Sequence, residues 1–149
     1  MVKKAKEFQY YEAIGRRKES VAQVRLYISG KNVTIKGKKL NPGQILINNQ
    51  DLETVFKRVI EQKKCVFPLE LTNTLDRFSI SILVNGGGHN GQIEAIRHGI
   101  SRALTLVDKD TYKPLLRQHS LITRDPRAKE RRKVGTGGKA RRQKQSPKR

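Results

Sequence analysis

Residues 78–104 read Phe78-Ser-Ile-Ser-Ile-Leu-Val84, Asn85, Gly86-Gly-Gly-His-Asn-Gly91 and Gln92-Ile-Glu-Ala-Ile-Arg-His-Gly-Ile-Ser-Arg-Ala-Leu104. The first part alternates: Phe78, Ile80, Ile82 and Val84 fall on one side, Ser79, Ser81 and Leu83 on the other. That is the period of a half-buried strand. From about Gln92 to Val107 the period changes. Ile93, Ile96, Ile100, Ala103, Leu104 and Val107 gather within about a third of a helical circumference. Glu94, Arg97, His98, Ser101, Arg102 and Thr105 occupy another sector and are expected to face outward. A strand, a glycine turn and an amphipathic helix in succession predict an α+β domain.

Outward from this stretch the same logic applies. Ala22, Val24, Leu26 and Ile28 alternate with Gln23, Arg25 and Tyr27, a second strand. Gly30-Lys31-Asn32 is read as its turn into Val33-Thr34-Ile35, a hairpin. Tyr10 to Ile14 is a candidate preceding strand. After the Asn41-Pro42-Gly43 turn, Leu52, Val55, Phe56, Val59 and Ile60 form one helical stripe. Asn48 or Asn49 is its expected cap, with Asp51 and Glu53 in its first turn, Lys63 and Lys64 toward its end, and Pro68 closing the region. Pro114 to Leu121 suggests a short final helix. The expected fold is a small mixed sheet with two packed helices. The expected organisation is a flexible segment 1–8, a globular domain 9–123 and an extended basic tail 124–149.

Charge narrows the function. The chain has 149 residues, 33 Lys and Arg against 13 Asp and Glu, and a net charge of +20. Such an excess speaks of polyanion partners rather than of fold. Residues 124–149 alone hold twelve Lys and Arg against Asp125 and Glu130, a net of +10. With Ala128, Val134 and Ala140 as its only apolar side chains, this segment is expected to stay extended or disordered until it binds. The lone Cys65 excludes an internal disulfide. No apolar run has membrane-spanning length and the basic start leads into no apolar signal region, so a soluble intracellular protein is expected.

The glycine run admits several chemistries. Gly86, Gly88 and Gly91 satisfy G-x-G-x-x-G, but the next segment, Asp108-Lys109-Asp110-Thr111-Tyr112-Lys113-Pro114, lacks the further strand of a dinucleotide fold. Gly91 is followed by Gln92-Ile93, which excludes a phosphate-binding loop of the Walker type. A tight turn needing positive φ is the simpler reading, with Gly88→Val expected to damage folding or docking. Bare amides at the helix start also make a general anion site, able to hold an RNA phosphate. His89, His98 and His119 lack metal-ligand spacing. Cys65, beside Lys63 and Lys64, is either an activated thiol or a small core hydrophobe. Gly15-Arg16-Arg17-Lys18, placed between two strands, is either a solvated loop or a phosphate-contacting corner.

These residues resemble a family. Gly86 through Leu104 is similar to the central signature of small-subunit ribosomal protein nine, bacterial or organellar type. So are Gly15-Arg-Arg-Lys-Glu-Ser20, Pro68-Leu-Glu-Leu-Thr-Asn-Thr-Leu75, Leu121-Ile-Thr-Arg-Asp-Pro-Arg127, Glu130-Arg-Arg-Lys133, Lys139-Ala-Arg-Arg142 and Lys148-Arg149. The resemblance implies an α+β domain similar to the second domain of ribosomal protein five, seated on rRNA in the head of the small subunit. It implies rRNA contacts at Arg16, Arg17, Lys18, Arg97, His98 and Arg102, to which the anion-site reading of the glycine turn adds Gly87 and Gly88. In the tail it implies rRNA contacts at Arg124, Arg127, Lys129, Arg131, Arg132, Lys133, Lys139, Arg141, Arg142 and Lys144, and P-site tRNA contacts at Lys148 and Arg149. Neighbouring head proteins are further implied partners. No catalytic residue, metal, cofactor, membrane or small-molecule substrate is implied, and the expected place is the cytoplasmic ribosome or an organellar one. The chain departs from the pattern at Val134, Gly137-Gly138 and Pro147, where the family has an aromatic, lysines and no proline. A free nucleotide-using enzyme and a DNA-coating protein are the rival classes.

Overall fold

The computed structural model describes residues 10–28, 33–35 and 38–141. The elements in order are β1 (Tyr10–Arg17), β2 (Ser20–Ile28), β3 (Val33–Ile35), β4 (Lys38–Leu40), β5 (Ile45–Ile47), β6 (Gln50–Asp51), α1 (Leu52–Val55), α2 (Val59–Leu71), β7 (Phe78–Asn85), α3 (His89–Val107) and α4 (Lys109–Gln118). Five strands form one mixed sheet in the order β1-β2-β7-β5-β6, antiparallel except for the β5–β7 pair. The α+β reading holds.

Helix α3 lies on β1 and β2, flanked by α2 and α4. Val24, Leu26, Ile80, Ile82, Ile96, Ile100 and Leu104 are buried between sheet and helices. Each contributes about 1.5–3 kcal/mol by leaving water. The helix sits unusually close to β1 at two glycines. A Cβ on Gly15 would fall on the Ala95 carbonyl and the Gly99 amide, and one on Gly99 would come within 2.6 Å of Val24 Cγ2. Only hydrogen fits at both positions.

Several expectations change. Strand β1 continues through Arg17, so Gly15, Arg16 and Arg17 belong to a strand, and Lys18-Glu19 makes the turn. The hairpin partner of Val33–Ile35 is β4 rather than β2, whose edges are taken by β1 and β7; residues 30–32 lie outside the described residues. Asn48 and Asn49 do not cap a helix. Both have positive φ (49° and 67°) and form the two-residue turn between β5 and β6. Asn48 also bonds both backbone groups of Val84, at 3.1 and 3.0 Å.

The expected single stripe from Leu52 to Ile60 is two helices. Phe56, fully buried, leaves the helical conformation, and its freed carbonyl accepts from Gln62 Nε2 at 2.7 Å. Beyond this break Val59 and Ile60 point outward, 61% and 70% exposed. Pro68 does not close the region but lies inside α2, which ends at Leu71. Left-handed Asn73 then lets Asn73 N–H reach Glu70 O and Thr74 N–H reach Leu69 O, the Schellman arrangement. On α3, Ser101 is buried rather than outward, its hydroxyl donating back to Arg97 O at 2.8 Å. The final helix α4 begins earlier than expected because Asp108 caps it, accepting from Asp110 and Thr111 N–H.

Candidate RNA interface

Strand period decides which cations reach solvent. Ala13, Gly15 and Arg17 face α3, whereas Ile14 and Arg16 are exposed. Arg17 was expected at an rRNA contact, but its side chain is only 9% exposed. Its guanidinium pairs with Glu94 of α3 through Nε and with Asp125 at 3.1 Å, and donates to the Arg127 carbonyl at 2.6 Å. All of these partners belong to the protein.

The half-buried His98 joins three parts of the chain. Its Nδ1 accepts from the Arg16 N–H at 3.3 Å and its Nε2 donates to the Ile122 carbonyl at 3.0 Å. Only the neutral Nε2–H tautomer makes both bonds. Burial, aided by Arg102, Arg124 and Arg97 nearby, holds its pKa below the ordinary histidine value despite the Ile122 bond. One turn along α3, Arg102 donates to the Ile14 carbonyl at 2.6 Å. His98 and Arg102 thus occupy outward backbone groups of β1, an edge strand of the sheet.

Around them the surface is a series of joined depressions. Arg16, Arg102 and Arg124 line one with Ile14, Leu106 and Thr105. Arg16 and Arg97 line the next, with His98, Ser120 and Thr123. Arg97 continues into a third with Lys64, Asn90 and Ile93. The structure therefore brings Arg16, Arg97, Arg102 and Arg124 onto one track, whose walls also include Glu12, paired with Arg25, and Glu94 and Asp125, paired with Arg17. Lys18 sits exposed at the β1–β2 turn with φ 51°. Sequence reasoning missed Lys64 as a member of this track. It also missed the exposed stripe Lys109, Lys113 and Arg117 on α4; their spacing of four residues was the available signal.

The glycine turn is explained mostly by packing. Gly86 and Gly87 have φ of 73° and 63° and press against Glu19 and Ser20. Gly88 corrects the expectation for a valine there: its φ is −111°, it precedes α3 as N-cap, and nothing lies within 4 Å of a Cβ placed on it. The first-turn amides of α3 have no side-chain cap. α4 starts one residue after Asp108, which ends α3, so no parallel strand follows as a dinucleotide fold requires.

Past α4, left-handed Ser120 turns the chain and Leu121 returns to the core. Arg124, Arg127, Lys129, Arg131, Arg132, Lys133, Lys139 and Arg141 are all exposed. Residues 130–141 fold back on themselves rather than running on extended. Arg141 grips Glu130 at 2.5 and 3.0 Å, Lys133 N–H reaches Lys139 O at 3.3 Å, and Thr136 Oγ1 bonds Lys133 O at 2.7 Å. Gly135, Gly137 and Gly138 take left-handed conformations in this turn, with Val134 fully exposed. Arg142, Lys144, Lys148 and Arg149 lie outside the described residues.

Of the two readings of Cys65, burial selects the core one and pushes its thiol up to about 12. Among the described residues no group of three His, Cys, Asp or Glu is placed to hold a metal, and no helix is long and apolar enough to cross a membrane. The family model described as Ribosomal protein S9/S16 matches residues 15–149. With the α+β fold and the cationic track, this settles the class: the chain belongs to the ribosomal protein S9/S16 family, as an rRNA-binding structural component of the small ribosomal subunit.

Proposed function

We propose that the globular part sits on rRNA in the head of the small subunit, that the tail threads through rRNA, and that Lys148 and Arg149 reach the P-site tRNA. The observation that carries this reading is the continuity of charge. Arg124, at the root of the tail, lines the same depression as Arg16 and Arg102 of the body. One polyanion backbone can follow body and tail together. Arg16, Lys18, Arg97, His98, Arg102 and the tail cations are the proposed phosphate contacts, with the open amides beyond Gly88 as a further one. Arg17 and Gly87 act from beneath this surface, one through Glu94 and Asp125, the other against Ser20.

Arg149 lies eight residue steps beyond Arg141, a reach of at most about 26–29 Å when extended. Arg149, with its planar fork, takes the principal tRNA phosphate contact and Lys148 a supporting one. Such contacts hold every tRNA alike. The test is tRNA dissociation from small subunits whose protein lacks Lys148 and Arg149. Assembly is expected to be normal and P-site tRNA to be weakened by about 1–3 kcal/mol. A normal off-rate on correctly assembled subunits would confine the tail to rRNA.

A further inference from the structure

The tail is built to lie on phosphates, yet it contains two carboxylates, Asp125 and Glu130. An acid in such a segment opposes binding unless it does something else. Asp125 accepts from Arg127 N–H at 3.0 Å, pairs with the Arg127 guanidinium at 2.6 Å, and pairs with Arg17 at 3.1 Å. The same buried Arg17 holds the Arg127 carbonyl and Glu94 of α3. Just upstream, Leu121 is buried and Ile122 is held by His98. The chain from Leu121 to Arg127 is therefore fastened to the body at three places. Among the described residues, the hydrogen bonds that positions beyond Arg127 make stay within the tail.

From this placement we infer that Asp125 is a positioning residue for RNA binding: with Arg17 it fixes the direction in which the tail leaves the body. A tail that departs in one direction has less freedom to lose when its cations meet phosphates. The inference rests on the rRNA-binding reading of the same surface. It makes a prediction opposite in sign to simple electrostatics. Asp125→Asn keeps an oxygen for the Arg127 N–H but removes a negative charge, which by Coulomb attraction alone tightens RNA binding.

The experiment compares the full-length chain, D125N and E53Q for binding to small-subunit rRNA at one salt concentration, with thermal melts of each. Glu53 is exposed on α1, far along the chain, and its change adds the same unit charge. D125N, which takes one carboxylate from buried Arg17 but leaves Glu94 and the Arg127 carbonyl, is expected to stay folded at the assay temperature with a slightly lower melting temperature, and to bind about three- to tenfold more weakly. E53Q is expected to bind as tightly as the parent or slightly more so. R17K keeps the net charge but loses the fork that spans Asp125 and the Arg127 carbonyl, and is expected to weaken binding likewise. If folded D125N and R17K bind as tightly as the parent or tighter, the positioning role is overturned, while parent binding to rRNA would still stand. Failure of the parent itself to bind would instead strike the surface assignment.

Discussion

Two arginines separate the body of this protein from its tail. Arg17 is 9% exposed and meets two carboxylates and a carbonyl supplied by α3 and the chain past α4. Arg141 is 84% exposed and meets one carboxylate, Glu130, itself half exposed. The first pairing is dictated by surroundings that exist before any RNA arrives. The second is screened by salt, and side-chain entropy opposes it. The body's form is thus fixed by packing, whereas the tail's form is a local arrangement that phosphates can replace.

The sharpest way to break this contrast is to put one methyl group in each region. Gly15→Ala inserts a Cβ into the Ala95 carbonyl and the Gly99 amide, both helix backbone, which cannot rotate away. Overpacking of this kind is expected to cost about 3 kcal/mol or more. In urea melts the variant should unfold at far lower denaturant or fail to fold. Gly137→Ala, also strained by its φ of 62°, meets nothing within 4 Å and should leave the melt unchanged. Equal sensitivity at both sites would erase the distinction.

Truncation sharpens it from the other side. A stop after Ala128 removes ten Lys and Arg and Glu130, but spares Asp125 and the Arg127 carbonyl that Arg17 needs. The melt is expected to stay put. Affinity for rRNA should fall by orders of magnitude, and the salt dependence should shallow by about 0.7–0.9 in log–log slope for each phosphate that is no longer neutralised. A stop after Thr123 should do the same and also lower the melting temperature, because it strips Asp125 and the Arg127 carbonyl from buried Arg17 and leaves only Glu94.

How far these regions were legible follows from how their residues repeat. β7 and α3 were readable because eight and nineteen residues repeat one period long enough to identify it. β5 was not: Ile45-Leu46-Ile47 is buried on every residue, so it carries no alternation. The stripe from Leu52 to Ile60 imitated one helix because Phe56 keeps the spacing while ending the helix. In the site, the number and sign of charges were plain. Which cation faces solvent depended on whether β1 ran past Ile14. Its period of two, continued to Arg17, puts Arg17 inward with Ala13 and Arg16 outward with Ile14. The capping of β1 by His98 and Arg102 pairs residues more than 80 apart in sequence, which no local pattern encodes.

His98 provides the smallest and most specific test, because it sits at the seam between the two regions. Its folded pKa lies below the ordinary 6.5, chiefly through burial. Between that folded value and about 6.5 the unfolded chain binds the additional proton, so stability rises with pH across the window. The contribution is fully present above about pH 6.5 and is lost as pH falls toward the folded value. Protonation at Nδ1 removes the acceptor for the Arg16 N–H and adds a cation beside Arg97, Arg102 and Arg124. The bond to the Ile122 carbonyl survives, since Nε2 remains a donor. Lowering the pH from 7.5 to about 5.5 is therefore expected to reduce the melting temperature by about a few degrees, while Asp125, held well below the usual carboxylate range chiefly by its hydrogen bonds from Arg127, stays ionised. In His98→Gln this part of the pH dependence should be absent, whereas a full-sized pH dependence in that variant would place the titrating group elsewhere in the fold.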